Sequence, residues 1–226
     1  MSIYGGSLSG TIDAASDALQ HGVDVPPEQR EALVRWLVER QVLSGRNAGA
    51  FAPTADDLAG GVRLYTGEPL RTKLAAWNVL TAEAARLLIL LGGSIEPAAE
   101  TVERAAKWLA VSCFGARGCV IGECAHSFVA HLRFLNAAHS DPAVVVRGVN
   151  ALRSERDGAG RWRRFPFYYT LLTLTEIQAE PARSELRYAI EACERVRGRS
   201  GRNETFVVRR RRLVERVIAL DDLHLL

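Results

Sequence analysis

Four residues with metal-binding side chains lie close together in the middle of the chain. Cys113, Cys119, Cys124 and His126 follow the spacing C-x5-C-x4-C-x-H across a glycine-rich connection and the start of a helix. Thiolate and imidazole ligands suit zinc, and four of them complete a tetrahedral site. The pattern therefore predicts that these residues bind one zinc ion. Two alternatives stay open: the cysteines are unligated packing residues, or one of them is a reactive thiol.

Two neighbours of this pattern have separate interpretations. Glu123 precedes Cys124 and is interpreted either as a general acid with a pKa raised by burial or as a favourable charge at a helix N-terminus. Cys193, the fourth cysteine, stands far along the chain and is predicted to be a core thiol. The N-terminal sequence has no signal-peptide pattern, so the free cysteines indicate a reducing, cytoplasmic setting.

A second candidate site combines arginines with aromatic residues. Arginine binds a diphosphate through paired hydrogen bonds, and aromatic side chains line apolar pockets. The alternative is that the arginines lie in solvent and the aromatic rings in the core. The predicted ligand-binding residues are Arg161, Trp162, Arg163, Arg164, Phe167, Tyr168, Tyr169 and Glu123.

The C-terminal end is strongly basic. Nine arginines and two glutamates lie between Arg195 and Arg216, whereas the rest of the chain has 20 basic and 24 acidic residues. We interpret residues 198–226 as a basic helical segment, with either a solvated face or an anion-attracting one. The run from Arg209 to Arg212 has no nucleic-acid-reading motif around it, so a nucleic-acid partner is not expected.

Helical periodicity dominates the chain, and strand patterning is nearly absent, which predicts an all-α fold. Proline opens several segments and glycine closes them. No apolar run has the length of a membrane span. Two connections, residues 44–61 and 112–121, are predicted to lack helix. The predicted helices cover residues 12–20, 26–43, 70–91, 97–111, 123–138, 142–156, 165–178, 181–197 and 205–220.

The helices carry a repeat of about 42 residues with two helices in each period. Leu88, Leu132 and Leu174 occupy equivalent places 44 and 42 residues apart. Leu109, Leu152 and Cys193 do the same in the alternate helices. No flexible linker interrupts the series, so residues 1–226 are expected to form one domain of stacked helical hairpins.

One repeat resembles a known family. Leu152, Glu155, Asp157, Gly158, Gly160 and Trp162 match the inner-helix end and Asp-Gly-x-Gly-x-Trp turn of squalene cyclases and protein prenyltransferases. Trp108-Leu109 and the segment 36–41 look like further inner-helix ends, so the resemblance covers about residues 30–200. It implies a partial or small α/α toroid, with inner and outer helices around a cavity.

The resemblance does not extend to the family's catalytic and metal-binding motifs. The chain has neither the Asp-x-Asp-Asp acid of the cyclases nor the Asp-x-Cys zinc pattern of the prenyltransferases. We therefore expect a helical-repeat protein that binds an apolar, isoprenoid-like ligand or a protein partner, including a second copy of itself. The alternative is an isoprenoid- or lipid-acting enzyme with an atypical active site, whose catalytic residues the sequence does not identify.

Overall fold

The computed structural model describes residues 3, 5–93, 95–197, 204–223 and 225, and these form an all-α protein. Within those ranges there is no β-strand, only three isolated β-bridges. The eleven helices of the described chain are α1 (Leu8–Gln20), α2 (Pro27–Val38), α3 (Ala55–Gly60), α4 (Lys73–Gly92), α5 (Ala98–Ala110), α6 (Cys113–Arg117), α7 (Cys124–Ala137), α8 (Pro142–Ser154), α9 (Phe167–Glu176), α10 (Glu180–Arg197) and α11 (Thr205–Asp222).

The all-α prediction is confirmed, and each of the nine predicted helices has a counterpart in this order. Two short helices, α3 and α6, lie in the connections that were expected to lack helix. Both are six residues or shorter, which is too short to show an amphipathic period in sequence. Of the basic segment 198–226, residues 198–203, 224 and 226 lie outside the described residues; the rest is mainly α11.

Helix α4 is the centre of the core and packs against α1, α2, α5 and α7. Its length and hydropathy would suit a membrane span, but 78% of the apolar window is buried inside the protein. A helix that is apolar on most sides is expected to be buried in the core.

Helices α4, α7 and α9 pack side by side, with α5, α8 and α10 each against the helix that precedes it. Leu88, Leu132 and Leu174 are all buried in the first set, as the repeat pattern predicted. Helix α11 then packs against α9 and α10. Burial at equivalent positions agrees with the proposed repeat, while the repeat and the toroid themselves stay predictions.

Carboxylates from distant segments cap three of the helices. Asp57 accepts hydrogen bonds from the backbone N–H groups of Leu8 and Ser9 at the start of α1, at 3.2 and 3.1 Å. Glu68 accepts from the first N–H groups of α9, and Glu123 from those just before α4. The first N–H groups of a helix lack intrahelical partners and carry a partial positive charge, so these contacts fix how the helices pack.

Candidate functional site

Three cysteine side chains meet at one corner of the molecule, beside the start of α7. Cys113 opens α6, Cys124 opens α7, and Cys119 lies between the two helices. The Sγ atoms of Cys113 and Cys124 are 3.4 Å apart, and all three Sγ atoms lie within 4.8 Å of one another. Cys113 is exposed and the others are half-buried, so the cluster is open to solvent.

The short helix α6 forms because both of its ends are satisfied locally. The Ser112 hydroxyl accepts the backbone N–H of Gly115 at the N-terminus. Gly118 ends the helix with φ 61°, a left-handed conformation that favours glycine. The reversal lets the N–H of Cys119 donate to the carbonyl of Cys113 at 3.2 Å. This hydrogen bond brings Cys119 next to Cys113 although six positions separate them in the sequence.

The corner is anchored to the core by aromatic packing. Phe114 is 2% exposed, and its ring meets that of His131 edge-on, with centroids 5.6 Å apart. The His131 ring stacks on Phe134 of the same helix. Burial lowers the pKa of His131 to about 4, so this ring is neutral at pH 7 and serves packing.

The thiols of the cluster have unequal acidities. A hydrogen bond from the backbone of Ile121 lowers the pKa of Cys119, and contacts with Cys124 and Cys113 act in the same direction. Burial, together with the neighbouring sulfurs, raises the pKa of Cys124 to about 12. Cys119 therefore gives up its proton more readily than Cys124, as expected when neighbouring acids share one site.

His126 does not belong to the group of atoms that converge. The ligand atoms within 4.8 Å of one another come from the three cysteines, and neither ring nitrogen of His126 is among them. Burial lowers the pKa of His126, which faces Glu123, Glu68 and Arg71. Its Nδ1 is buried and has no hydrogen-bond partner within the described chain. Cys193 is fully buried in α10, in agreement with a core thiol.

Glu123 joins the cysteine corner to the central helix. Its carboxylate accepts the backbone N–H groups of Arg71 and Thr72 at 2.6 and 2.8 Å, next to the start of α4. Burial alone would raise the pKa of Glu123, but these hydrogen bonds outweigh it and the pKa is lowered. The carboxylate is thus ionised at pH 7 and acts at a helix N-terminus, although at that of α4 rather than of its own helix.

Trp162 fixes the turn that carries the family resemblance. Gly158 and Gly160 take φ values of 82° and 81°, as the turn motif predicted. The Oδ1 atom of Asp157 accepts the backbone N–H of Arg161 at 3.0 Å. Trp162 is 3% exposed, and its indole N–H donates to a buried carboxylate, Oε2 of Glu185, at 2.9 Å. The ring therefore holds the turn against α10.

The predicted ligand-binding residues occupy different environments. Arg161, Arg163 and Arg164 are exposed, and the Arg161 guanidinium lies 4.6 Å from the Phe167 ring centroid. Phe167 and Tyr169 are buried in α9. The Phe167 ring contacts those of Trp162 and Tyr168, with centroids 6.2 and 5.2 Å apart. Tyr168 also lies beside Arg210 of α11, and Glu123 lies at the start of α4. Arginine and aromatic side chains are therefore in contact at the start of α9, and the ligand-binding set stays a prediction.

Sequence reasoning missed a set of charged residues in the middle of the protein. Arg133 of α7 is fully buried. It donates to both carboxylate oxygens of Glu176 at 2.7 Å and to both oxygens of Glu83 at 2.9 and 3.0 Å. Arg86 also pairs with Glu176, at 3.1 Å, and the Tyr169 hydroxyl donates to Glu83. These five residues are called the buried charge cluster below.

The buried charge cluster ties α4, α7 and α9 together. Burial would raise the pKa of Glu176, but the charges of Arg133 and Arg86 and hydrogen bonds from Arg133 and Gln20 lower it to about 2. Two guanidinium groups balance two carboxylates, so the cluster is neutral overall. The sequence signal was Arg133 between apolar neighbours in α7, where a charge must find a buried partner.

Comparison with protein-family models, curated proteins and solved structures finds no match to this chain.

Proposed function

We propose that this protein binds a thiophilic metal ion, zinc in the first instance, through Cys113, Cys119 and Cys124. The observation that carries the proposal is the convergence of their three Sγ atoms within 4.8 Å. Zinc–sulfur bonds of about 2.3 Å in a tetrahedral site place sulfurs about 3.8 Å apart. The observed spacing is close enough to this value for small side-chain rotations to complete the site.

A bound metal has to convert these thiols to thiolates, and the free Cys124 thiol holds its proton because its pKa is raised. Cys124 lies in the first turn of α7, a helix of 14 residues whose N-terminus stabilises negative charge. Zinc binding would displace protons from all three thiols, including that of Cys124, since the metal coordinates thiolate and not thiol. Soft sulfur ligands also suit copper(I), so the test should include competition between zinc and copper(I).

The fourth coordination position distinguishes two kinds of site. A closed site with four protein ligands is structural, whereas three protein ligands leave a position for water or an exchangeable ligand. His126 is the fourth ligand that the sequence predicted, and its ring nitrogens lie outside the cysteine group. We therefore propose a three-cysteine site with one exchangeable position.

Cobalt(II) spectroscopy tests the ligand set. We expect cobalt added to the reduced protein to give thiolate-to-cobalt charge-transfer absorption that zinc abolishes. Cys113→Ser, Cys119→Ser and Cys124→Ser should each weaken this band, and Cys193→Ser is the matched control that should keep it. His126→Gln should leave the band in place. An unchanged band in the three cluster variants would refute the ligand set.

Partner binding is a second candidate function, favoured by exposed apolar residues beside the cysteines. Val111 is 80% exposed and Ile121 is 75% exposed, and both lie within three residues of a cluster cysteine. Large apolar residues that flank a polar site are frequent at protein interfaces. We propose self-association through this corner: sedimentation equilibrium should show a dimer for the native chain and a monomer for Val111→Ser with Ile121→Ser. A monomeric native chain would contradict self-association.

The repeat architecture is a further part of the proposal. The side-by-side packing of α4, α7 and α9 supports a short series of helical hairpins, and the Asp157–Trp162 turn supports the resemblance to the cyclase and prenyltransferase repeat. An experimental structure in which α4/α5, α7/α8 and α9/α10 fail to superimpose as hairpins would refute it.

A further inference from the structure

A cleft of about 120 Å³ lies between α1 and α11, on a part of the surface separate from the cysteines. Its polar lining comes from Gln20 and His21 at the end of α1 and from Arg209, Arg212 and Arg216 of α11. Leu172 and Leu213 supply apolar lining. We call this the basic cleft.

The innermost arginine of the basic cleft is already neutralised. Arg209 is 8% exposed, and its guanidinium donates to both carboxylate oxygens of Asp13 at 2.7 and 2.8 Å. It also donates to Asp17 at 3.0 Å. This arginine therefore holds α11 against α1, and its charge is not free for a ligand.

The two outer arginines keep their charge. Arg212 and Arg216 are exposed and stand one helical turn apart, so they face the same side of α11. Among the residues that the structure describes, the partner of Arg212 is the Nε2 atom of His21, at 2.5 Å. This nitrogen can accept because His21 Nδ1 bonds the carbonyl of Asp17. Arg216 has neither an ion pair nor a hydrogen bond within the described chain.

The acids that contact lining residues of the basic cleft are paired with cations other than Arg212 and Arg216. Asp17 is paired with Arg209, and Glu176, which accepts from Gln20, is paired with Arg86 and Arg133. The cleft mouth therefore carries two uncompensated positive charges next to an apolar wall. Guanidinium groups recognise phosphate through paired hydrogen bonds.

We propose that the basic cleft binds a phosphate group, with Arg212 and Arg216 as its ligands. A volume of about 120 Å³ equals roughly four water molecules, which fits a phosphate with a small organic substituent. The shared chemistry is the phosphate, carried either by inorganic phosphate or by a small phosphomonoester whose substituent packs on Leu172 and Leu213.

Isothermal titration calorimetry at constant ionic strength tests the site, with inorganic phosphate and propyl phosphate as the two probes. We expect saturable phosphate binding by the native chain, with Arg212→Gln and Arg216→Gln each weakening it about tenfold, the effect of losing one charged hydrogen-bond donor. Tighter binding of propyl phosphate than of inorganic phosphate would assign the site to a phosphomonoester; the reverse order would assign it to free phosphate.

The matched control is Arg211→Gln. Arg211 is exposed on the same helix and is not part of the cleft lining. Arg211→Gln therefore removes the same positive charge from a different place. We expect it to leave phosphate affinity unchanged within about twofold, because a solvent-exposed charge that makes no hydrogen bond to the ligand contributes little. Equal weakening by all three variants, or no binding by the native chain, would overturn the proposal.

Discussion

Replacing Arg133 by methionine is the most informative perturbation of the fold, since this residue is the centre of the buried charge cluster. Arg133 is fully buried and pairs with Glu83 at 2.9 Å and with Glu176 at 2.7 Å. Its loss would leave two buried carboxylates with Arg86 as the one nearby cation. Removing one partner of a buried ion pair costs about 3–5 kcal/mol, because the remaining charge stays desolvated.

Equilibrium unfolding in urea at pH 7 measures this loss. We expect Arg133→Met to lower the midpoint concentration strongly with a nearly unchanged denaturant slope, which is the signature of lost stability in one native fold. Arg35→Met is the control for the same chemical change at the surface. Arg35 pairs with Glu31, and their side chains are 66% and 49% exposed, so the expected loss is below about 1 kcal/mol.

The pH dependence of the variant adds an independent signature. Without Arg133, burial dominates and the pKa of Glu176 rises, so protonation of this carboxylate would relieve the unpaired charge. We therefore expect the stability difference between Arg133→Met and the native protein to shrink as the pH falls. A loss no larger than that of Arg35→Met, with no change in pH dependence, would refute the role of the cluster.

Three further predictions follow from single contacts. In the native protein the pKa of Glu176 is depressed from 4.5 to about 2. Its contribution to stability of roughly 3 kcal/mol is therefore present above pH 4.5 and is lost as the pH falls towards 2. The free energy of unfolding of Glu176→Gln should depend less on pH over that window. Trp162→Ala should cost about 3–5 kcal/mol for the buried ring. Trp162→Phe should cost about 1 kcal/mol for one lost hydrogen bond, since Glu185 keeps its hydrogen bonds from Arg153 and Arg156. Thermal unfolding measures both losses, and near-native stability of Trp162→Ala would contradict the anchoring role. Glu123→Gln should cost about 1 kcal/mol through the weakened cap on α4 and leave cobalt binding unchanged; lost cobalt absorption would instead place Glu123 at the metal.

The helices could be predicted because proline and glycine mark their ends and the apolar period marks their faces. Pro142 opens α8 and Gly92 closes α4, as the sequence indicated. The short helices α3 and α6 were missed because each is too short to show an apolar period, although Thr54 and Asp57 of α3 match a capping-box pattern. Local signals therefore determined the long helices and missed the short ones.

The cysteine site was predicted in part. Short sequence separation placed Cys113, Cys119 and Cys124 within reach of one another, and the turn at Gly118 brings them together. His126 lies two residues after Cys124 in α7, about 200° around the helix, so the two side chains do not share a face. The binding of an isoprenoid-like ligand, the enzyme alternative and the cytoplasmic location stay predictions.

The charged residues show what spacing cannot decide. Arg209 looks like an ordinary helical arginine in the sequence, and Arg133 differs only by its apolar neighbours, yet both are buried in ion pairs. The four-arginine run divides in the structure: Arg209 is neutralised by Asp13 and Asp17, whereas Arg211 and Arg212 are exposed. Long-range partners determine these roles, and they are up to 196 residues away along the chain.

Metal content after purification under reducing conditions tests the central claim most directly. We predict about one zinc ion per chain for the native protein and for Cys193→Ser, measured by elemental mass spectrometry after dialysis against zinc-containing buffer and removal of free metal. Cys113→Ser and Cys124→Ser should lose most of that zinc while they keep native helicity by circular dichroism. Native protein with well under one zinc per chain, or cluster variants that retain as much as Cys193→Ser, would contradict the account.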